Sequence, residues 1–450
     1  MAKPDNPNKL PRGYFPIWSI SGASSAVGMI LLMQITYYAT EVVGLPPALV
    51  GAILMGTKIL DGATDLFAGF LVDRTNTRLG RGRPWHLFII LYWVSIILLL
   101  STPNFGMAGK AVWVTVMYSM AMSISYTSLM ASANSYMKRS LSGSERQGKV
   151  MAGSGAVIMF FGAASSIMLP QLMSRWGTLP GGWTRIALVY GIPMTVLGML
   201  RFFFIKENVK DIEEDKQNPI GVIEGIKLMF SNKYAMLLAG ASVCDNVAKF
   251  AVSAAAAYYF TYIIGDLGSM SLVAAFGIVT PLIFLLFPLA QRTIGAMNFV
   301  RINIIVAAVG YGLLFFAGNN LPMVLVCAVL GGVGSNCLAM IGGVFIIQTM
   351  DYGEWKTGKR VEGMLSSFNS FASKIGSGFA SLIVGAVMAL GGYVSGAETQ
   401  TPAALMSIKF VYSITPFVFC ILGLVVLHFF DVDKKIPQIQ KDLEARKATA

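Results

Sequence analysis

The sequence predicts an all-α integral membrane protein of about twelve transmembrane helices, arranged as two six-helix halves. Hydrophobic residues make up 55% of the 450 residues and charged residues only 12%, whereas a soluble domain carries about 25% charged residues. The apolar residues occur in blocks of about 20, which is the length of helix that crosses a bilayer core of about 30 Å. A longer polar segment separates the two sets of blocks.

Apolar blocks between polar or Gly/Pro-rich breaks define the predicted spans. Spans 1–6 lie near residues 15–39, 47–72, 86–102, 111–137, 150–173 and 184–205. Spans 7–12 lie near residues 234–264, 271–290, 302–317, 321–349, 363–392 and 405–430. The break at Gly318–Asn320 is short, so ten or eleven spans stay open as alternatives. We expect an N-terminal half over residues 1–205, a linker over 206–233, a C-terminal half over 234–430 and a tail over 431–450.

Basic residues are distributed unevenly among the connections between spans. Of the 34 Lys and Arg residues, only Lys110, Arg175 and Arg185 lie on the connections that face outward if both termini are cytoplasmic. Lys and Arg near membrane helices are retained on the cytoplasmic side. The sequence therefore predicts a multi-pass protein of the cell membrane with both termini in the cytoplasm. This distribution accounts for the net charge of +12 without a nucleic-acid partner.

The linker between the two halves is polar and of mixed charge. Within it, residues 219–233 space apolar side chains in an amphipathic pattern, which predicts a helix lying on the membrane surface. Two six-helix halves joined in this way are typical of the major facilitator architecture. In that architecture the substrate site lies between the halves, near the bilayer midplane.

Span 2 contains three charged residues, Lys58, Asp61 and Asp65, in the segment KILDGATD. Spacings of three and four residues place them on one helix face. A charge at the bilayer centre costs roughly 2.5–3.5 kcal/mol, so such residues usually line a cavity or a pathway. Two ionised carboxylates one turn apart repel each other, and a bound Na⁺ or a proton relieves this repulsion. The pattern favours a coupling-ion site; a structural bridge from Lys58 to a carboxylate is the alternative.

Spans 7 and 11 also carry charges. Lys374 lies near the middle of span 11 in NSFASKIGSG, and span 2 offers the most plausible carboxylate partner. Asp245 and Lys249 in span 7 are spaced for an i,i+4 pair. These two either contact a transported solute or only neutralise each other.

Two charged loops follow spans 2 and 10. They are Gly69–Trp85, with the sequence GFLVDRTNTRLGRGRPW, and Met350–Gly363, with the sequence MDYGEWKTGKRVEG. Alternating acids and bases could form ion pairs that break and reform as the halves move. We predict a cytoplasmic gate formed by Asp73, Arg74, Arg78, Asp351, Glu354 and Arg360.

Together these segments resemble the glycoside–pentoside–hexuronide:cation symporter family, the melibiose-permease-like branch of the major facilitator superfamily. The resemblance covers essentially the whole chain, through YYATEVVGL, DGATD, DRTNTRLGRGRPW, IQTMDYGEWKTGKRVEG and SFASKIGSGFA. It implies an importer of a sugar, glycoside or hexuronide that is coupled to Na⁺ or H⁺ and works by alternating access. It also implies a monomer in the lipid bilayer that needs no cofactor.

The resemblance also implies site residues. It places the cation site at Asp61, Thr64, Asp65 and Thr127, with Na⁺ as one occupant at the two acids. Thr64 stands where sodium-using members often have an amide, so the choice between Na⁺ and H⁺ stays open. Substrate contacts would include Lys374, Asn369 and Ser370.

The chain departs from galactoside-carrying members at three positions. Their acids in helices 1 and 4 are replaced by Ser25 and Met130, and an aromatic residue is replaced by Asn134. The resemblance therefore does not imply a galactoside-binding site. The lysines, including Lys249 beside Asp245, favour an anionic solute instead.

A neutral sugar is the alternative if Lys249 is only an intrahelical partner of Asp245. It would be held by Asn134, Asn369 and an aromatic ring such as Trp18.

Other transporter classes and enzymes fit the sequence less well. A proton-coupled transporter or exporter of another small organic anion would share the fold, but span 5 lacks the Gly-Pro-x-x-Gly-Gly kink usual in exporters. The two histidines, His86 and His428, lie at distant span ends, and the four cysteines lie in apolar blocks without metal-site spacing. The sequence therefore predicts a transporter and not an enzyme.

Overall fold

The computed structural model describes residues 10–75, 77–141, 143–207, 229–277, 287–358 and 362–449. These residues are predominantly helical. They divide into a first unit, Met1–Asp215 with Asp266–Ala275, and a second unit, Lys216–Gly265 with Phe276–Ala450.

The helices of the first unit follow predicted spans 1–6. Helix α1 is Tyr14–Leu32, continued by Ile35–Tyr37 and a π-helical turn Tyr38–Val42. Helix α2 is Pro47–Arg74, and a 3₁₀ turn Arg83–Leu87 leads into α3, Phe88–Leu99. Helix α4 comprises Met107–Ser119, a π-helical stretch Met120–Tyr126 and Thr127–Ser140. Helices α5 and α6 are Ser144–Trp176 and Gly182–Phe204.

The later helices begin with α7, Lys233–Tyr259, which continues through a π-helical turn Phe260–Ile264. Helices α8, α9, α10, α11 and α12 are Met270–Gly277, Phe287–Thr293, Ala296–Ala317, Leu321–Thr357 and Glu362–Leu390. Helix α13 comprises Pro402–Lys409, a π-helical turn Phe410–Ile414 and Thr415–His428. Helix α14 is Val432–Thr449.

The structure separates predicted spans 9 and 10 at the short break. Gly318 adopts a positive φ of 56°, which glycine tolerates because it lacks a Cβ atom. Asn320 then caps α11, its side chain accepting a hydrogen bond from the Met323 backbone N–H at 3.3 Å. The two spans are therefore distinct helices.

Membrane-length helices recur through the described part of the chain. Seven helices there are long and apolar enough to cross a membrane, and three shorter apolar helices accompany them. Helix α2 has 28 residues, about 42 Å of helix at 1.5 Å per residue. It is long enough to cross a bilayer although it carries Lys58, Asp61 and Asp65.

Within each unit the helices pack directly against one another. In the first unit α1 packs on α5 and α6, and α2 packs on α4. In the second unit α7 packs on α12 and α13, and α10 packs on α11. Gly376 of α12 lies so close to α7 that an added Cβ atom would be 2.6 Å from the Val243 carbonyl oxygen, so this contact requires glycine.

The prediction of a loop over Met350–Gly363 needs correcting. Helix α11 continues to Thr357, and α12 begins at Glu362. Gly358 ends α11 with a left-handed φ of 70°. This end of α11 packs against α14, where Trp355 Nε1 donates a hydrogen bond to Asp442 Oδ2 at 2.9 Å.

The C-terminal tail forms a helix that packs on the second unit. At its start, the Tyr234 hydroxyl donates to Asp431 Oδ1 at 2.5 Å, and Lys435 Nζ lies 2.9 Å from Asp431 Oδ2. These hydrogen bonds lower the pKa of the Asp431 carboxyl to about 2. The amphipathic helix predicted over residues 219–233 lies largely outside the described residues.

Candidate functional site

Two neighbouring helices of the first unit bring polar side chains together inside the predicted membrane region. The Thr127 hydroxyl of α4 lies 3.1 Å from Asp61 Oδ1 and 3.1 Å from Asp65 Oδ1, both on α2. Lys58, one turn before Asp61, places its Nζ 3.8 Å from Asp61 Oδ2. The structure therefore groups two acids, one hydroxyl and one base.

Three members of this polar group are shielded from solvent, and Asp65 is half-buried. Asp61 is only 2% exposed, Thr127 4% and Lys58 7%. The Lys58 ammonium also lies 5.7 Å from the centre of the Tyr118 ring of α4, a cation–π distance. Low exposure strengthens the electrostatic interactions within the group, because little water screens them.

Thr64 has a different geometry from Thr127. Its hydroxyl donates to the backbone carbonyl oxygen of Asp61 at 3.0 Å. Its oxygen still carries lone pairs that can accept a hydrogen bond or bind a cation. Thr64 therefore lies on the carboxylate-bearing turn but bonds to the backbone.

A π-helical stretch positions Thr127. Residues Met120–Tyr126 of α4 are π-helical, and Thr127 begins the α-helix that follows. The wider π turn shifts the helix face by an extra residue and is frequent at functional sites. This shift falls immediately before the side chain that contacts both carboxylates.

The chemistry of the group favours a bound cation. A threonine hydroxyl carries a single hydrogen, so Thr127 can donate to only one of the two acids at a time. With Lys58 beside Asp61, the two ionised acids leave one negative charge in excess. A proton or a metal cation would compensate this charge and reduce the repulsion between the acids. The oxygen atoms of carboxylates and hydroxyls suit either occupant.

Further along α4, Met130 and Asn134 are exposed. They follow Thr127 by three and seven residues, which places them on the same face of the helix. Ser25 of α1 is buried and donates to the Gly22 carbonyl oxygen at 3.1 Å.

The charged residues of α7 form a local pair. Lys249 Nζ lies 2.5 Å from Asp245 Oδ2, with side chains only 21% and 11% exposed. The lysine charge is therefore neutralised on its own helix, as the i,i+4 spacing allows.

Polar residues of α12 lie next to α7. The Ser242 hydroxyl of α7 donates to Asn369 Oδ1 at 2.7 Å. Ser370 is exposed and Lys374 is half-buried. Ser242 is a polar partner that sequence reasoning missed, because no spacing within either helix relates it to Asn369.

The ring of Trp18, a predicted sugar contact, packs among side chains of the first unit. Trp18 is 6% exposed and stacks on Tyr14 at 5.8 Å between ring centres. The guanidinium of Arg201 lies 3.9 Å from its ring centre, and Arg201 Nη2 donates to the Trp18 carbonyl oxygen at 2.6 Å. Tyr136 adds an edge contact at 5.7 Å, so packing within the first unit covers the ring.

The predicted gate residues lie in different environments. Arg74 is exposed and stacks over Phe70 at 4.0 Å, and Arg78 is exposed. Asp351 is buried and Glu354 half-buried, both on the extension of α11 rather than in a loop. Arg360 and the side chain of Asp73 lie outside the described residues.

Comparisons with known proteins agree with this architecture. The family model for MFS/sugar transport proteins matches residues 17–434. The isoprimeverose transporter of Lactiplantibacillus pentosus is 30% identical over 430 residues, which are 92% of this chain and 87% of that protein. The glucuronide carrier protein homolog of Escherichia coli is 26% identical over 435 residues, which are 94% of this chain and 93% of that protein.

A solved structure shows the same fold at low sequence identity. It is a bacterial homolog of the human lysosomal transporter Spinster, in an inward-facing and occupied conformation. It superimposes with a TM-score of 0.69 at 12% identity, covering 97% of this chain and 99% of that one. This likeness concerns the fold alone, and the predicted all-α membrane architecture of the major facilitator type is confirmed.

The family match and the apolar helices together identify a multi-pass membrane protein. The matching family consists of transporters, so the protein is a transporter and not an enzyme. The chain belongs to the MFS/sugar transport protein family, among the glycoside–pentoside–hexuronide symporters that its motifs resemble.

Proposed function

We propose that this protein is a cation-coupled symporter that imports a sugar or glycoside by alternating access. The coupling ion is Na⁺ or H⁺, bound at Asp61, Asp65 and Thr127 with Thr64 beside them. The observation that carries this proposal is the single Thr127 hydroxyl 3.1 Å from both carboxylates of α2.

The energetics of the membrane interior support a role in transport. Retaining Lys58, Asp61 and Asp65 in one span is costly, and a purely structural bridge would need one acid only. When the second acid takes up a cation, the site approaches neutrality, which favours a conformational change through the bilayer. Coupling then follows from linkage, because solute and cation each favour the state that binds the other.

For the substrate we propose a neutral sugar or glycoside. Asp245 already neutralises Lys249 at 2.5 Å, which leaves less charge for an anionic solute. The exposed amide of Asn134 and the Ser242–Asn369 pair are hydrogen-bonding groups suited to sugar hydroxyls. The relatives are named for isoprimeverose and glucuronide, so an organic anion is the competing substrate class.

For the topology we propose a monomer in the cell membrane with both termini in the cytoplasm. The support is the scarcity of Lys and Arg at the helix ends and connections of the opposite side, where only Lys110, Arg175 and Arg185 are found. This orientation places the connection between α2 and α3, and helix α14, on the cytoplasmic side.

Uptake into proteoliposomes tests the proposed function. Neutral and anionic glycosides would be offered with an inward Na⁺ gradient, an inward proton gradient, both or neither. We expect accumulation of a neutral glycoside under one of the two gradients. Accumulation of anionic glycosides alone would favour the competing substrate class, and uptake indifferent to both gradients would replace symport by facilitated diffusion.

Changing Lys249 to Gln tests the substrate charge. The change leaves the half-buried Asp245 without its cation. Breaking a fully buried pair costs about 3–5 kcal/mol, which is an upper bound for this one. We expect lower thermal stability in detergent, restored by adding Asp245→Asn. The preference between neutral and anionic glycosides, measured by competition, should stay unchanged in the double variant. A selective loss of anionic transport would instead make Lys249 a substrate contact.

A further inference from the structure

A carboxylate is held by a backbone cradle at the end of the first unit where α2 ends. Glu207 follows α6, and its side chain accepts three hydrogen bonds from consecutive backbone N–H groups. Arg81 N donates to Oε2 at 2.8 Å, Gly82 N to Oε1 at 2.8 Å and Arg83 N to Oε1 at 2.6 Å. Successive N–H groups converging in this way form an anion-binding nest.

Two glycines of the segment LGRGRPW leave room for the Glu207 carboxylate and for α4. Gly80 has a φ of 113°, and a Cβ atom there would lie 2.4 Å from Glu207 Oε2. A Cβ atom on Gly82 would lie 2.7 Å from the Tyr136 backbone nitrogen. Side chains at these positions would therefore expel the carboxylate or displace α4, which gives the Gly-Arg-Gly-Arg spacing a physical reason.

The same connection is tied to α6 by a second set of contacts. Arg83 Nε donates to the Phe202 carbonyl oxygen at 2.9 Å, and its guanidinium lies 5.0 Å from the Phe202 ring centre. The Tyr136 hydroxyl lies 2.7 Å from the Ile205 carbonyl oxygen. The cradle thus fastens the connection that follows α2 to the ends of α4 and α6 around one half-buried charge–dipole interaction.

We propose that Glu207 is a positioning residue for coupled transport, acting through the connection between α2 and α3. This inference rests on the proposed function, because α2 carries Asp61 and Asp65. Asp65 lies nine residues before Arg74, where α2 ends, which is about 14 Å along the helix. By anchoring the chain that leaves α2, Glu207 keeps this helix in register with α4 and its Thr127 while the transporter changes state.

Removal of the carboxylate should affect turnover rather than solute binding. For Glu207→Ala we expect the maximal rate of net uptake to fall roughly tenfold, since charge-assisted hydrogen bonds are lost. The solute concentration for half-maximal uptake should stay unchanged. Glu207→Gln, which keeps an acceptor but loses the charge, should fall in between, and Glu207→Asp should retain the most activity.

The emptied cradle offers a direct test through chemical rescue. Potassium formate on both sides of the vesicle membrane should restore part of the rate of Glu207→Ala, since formate supplies a small carboxylate to the three N–H groups. The same concentration of potassium gluconate, whose anion is too large for the cradle, should not. Formate should leave the wild-type protein unaffected, because Glu207 already fills the site.

Glu145 provides a matched control. It belongs to the same unit, and its 64% exposed side chain pairs with Lys149 at 2.7 Å in an i,i+4 arrangement. We expect Glu145→Ala to transport like the wild type, with and without formate.

Two outcomes would overturn the role of Glu207. One is an unchanged rate for Glu207→Ala. The other is a loss of rate that neither formate nor Glu207→Asp restores while purified protein remains folded by thermal unfolding in detergent. Failure of the proposed function is a separate result, because the wild-type protein would then ignore both cation gradients whatever the variants do.

Discussion

Asp61→Asn is expected to abolish accumulation of solute against its gradient. The amide keeps the shape of the carboxylate but removes the charge that a coupling cation requires, in a position only 2% exposed. Without the cation, the site cannot transmit the free energy of the gradient to the solute. Exchange of labelled for unlabelled solute across the membrane should persist, because exchange does not require the empty transporter to change state. Uphill uptake and exchange in the same vesicles measure the two properties.

Asp65→Asn should give the same result, because Thr127 lies 3.1 Å from both acids. Glu145→Gln is the control, since this exposed carboxylate lies outside the proposed site. If both aspartate variants concentrate solute normally, the coupling site lies elsewhere in the chain.

Thr127→Val is expected to change the apparent affinity for the coupling cation strongly, in a direction that depends on the ion. Affinity for Na⁺ should fall because a hydroxyl oxygen ligand is lost, whereas affinity for H⁺ should rise because the carboxylates lose a hydrogen bond to their charged form. Valine preserves the branched shape but removes the hydroxyl shared by two carboxylates. Hydrogen bonds to charged groups contribute about 1.5–3 kcal/mol, so the half-saturating cation concentration should change between roughly tenfold and a hundredfold, upward for Na⁺ and downward for H⁺. Cation dependence of the initial uptake rate measures this change, and Thr127→Ser should largely restore the wild-type affinity.

Thr115→Val is a matched control on the same helix. The Thr115 hydroxyl donates to the backbone carbonyl oxygen of Ala111 at 2.7 Å, a bond within one turn of α4. We expect normal cation dependence from this variant. Equal effects of the two threonine changes would mean that α4 tolerates valine poorly and that Thr127 has no special relation to the cation.

The helices were largely predictable because a helix that crosses a membrane needs about 20 predominantly apolar residues. Even the short break at Gly318–Asn320 separates two helices, since a positive-φ glycine and an asparagine cap stop one and start the next. The end of α11 was not predictable from hydropathy. Its charged residues favoured a loop, whereas the structure shows a helix that is held against α14 by the Trp355–Asp442 hydrogen bond.

Some residues of the candidate site were predictable from their spacing, and others only from the family resemblance. The spacing of Lys58, Asp61 and Asp65 alone indicated one helix face with excess acid. Thr127 came from the family resemblance, because no local pattern relates a threonine on α4 to acids on α2. The short Lys249–Asp245 pair follows the spacing, but only the structure shows its distance.

Contacts between distant parts of the chain were missed. Arg201 covers the Trp18 ring from 183 positions further along the chain, and neither residue has a sequence signal for the other. The Glu207 cradle depends on backbone N–H groups that carry no side-chain signature. The Gly-Arg-Gly-Arg segment was the one available hint, and it was interpreted only as part of a charged loop and of the family resemblance.

The most direct test of cation-coupled symport reverses the direction of energy transfer. Proteoliposomes without any cation gradient would receive a steep inward gradient of a transported glycoside, while internal pH and entry of labelled Na⁺ are followed. Symport predicts that downhill entry of the glycoside carries one of these cations inward, and that Asp61→Asn eliminates the cation movement. Rapid entry of glycoside into wild-type vesicles with neither proton nor Na⁺ movement would contradict the account.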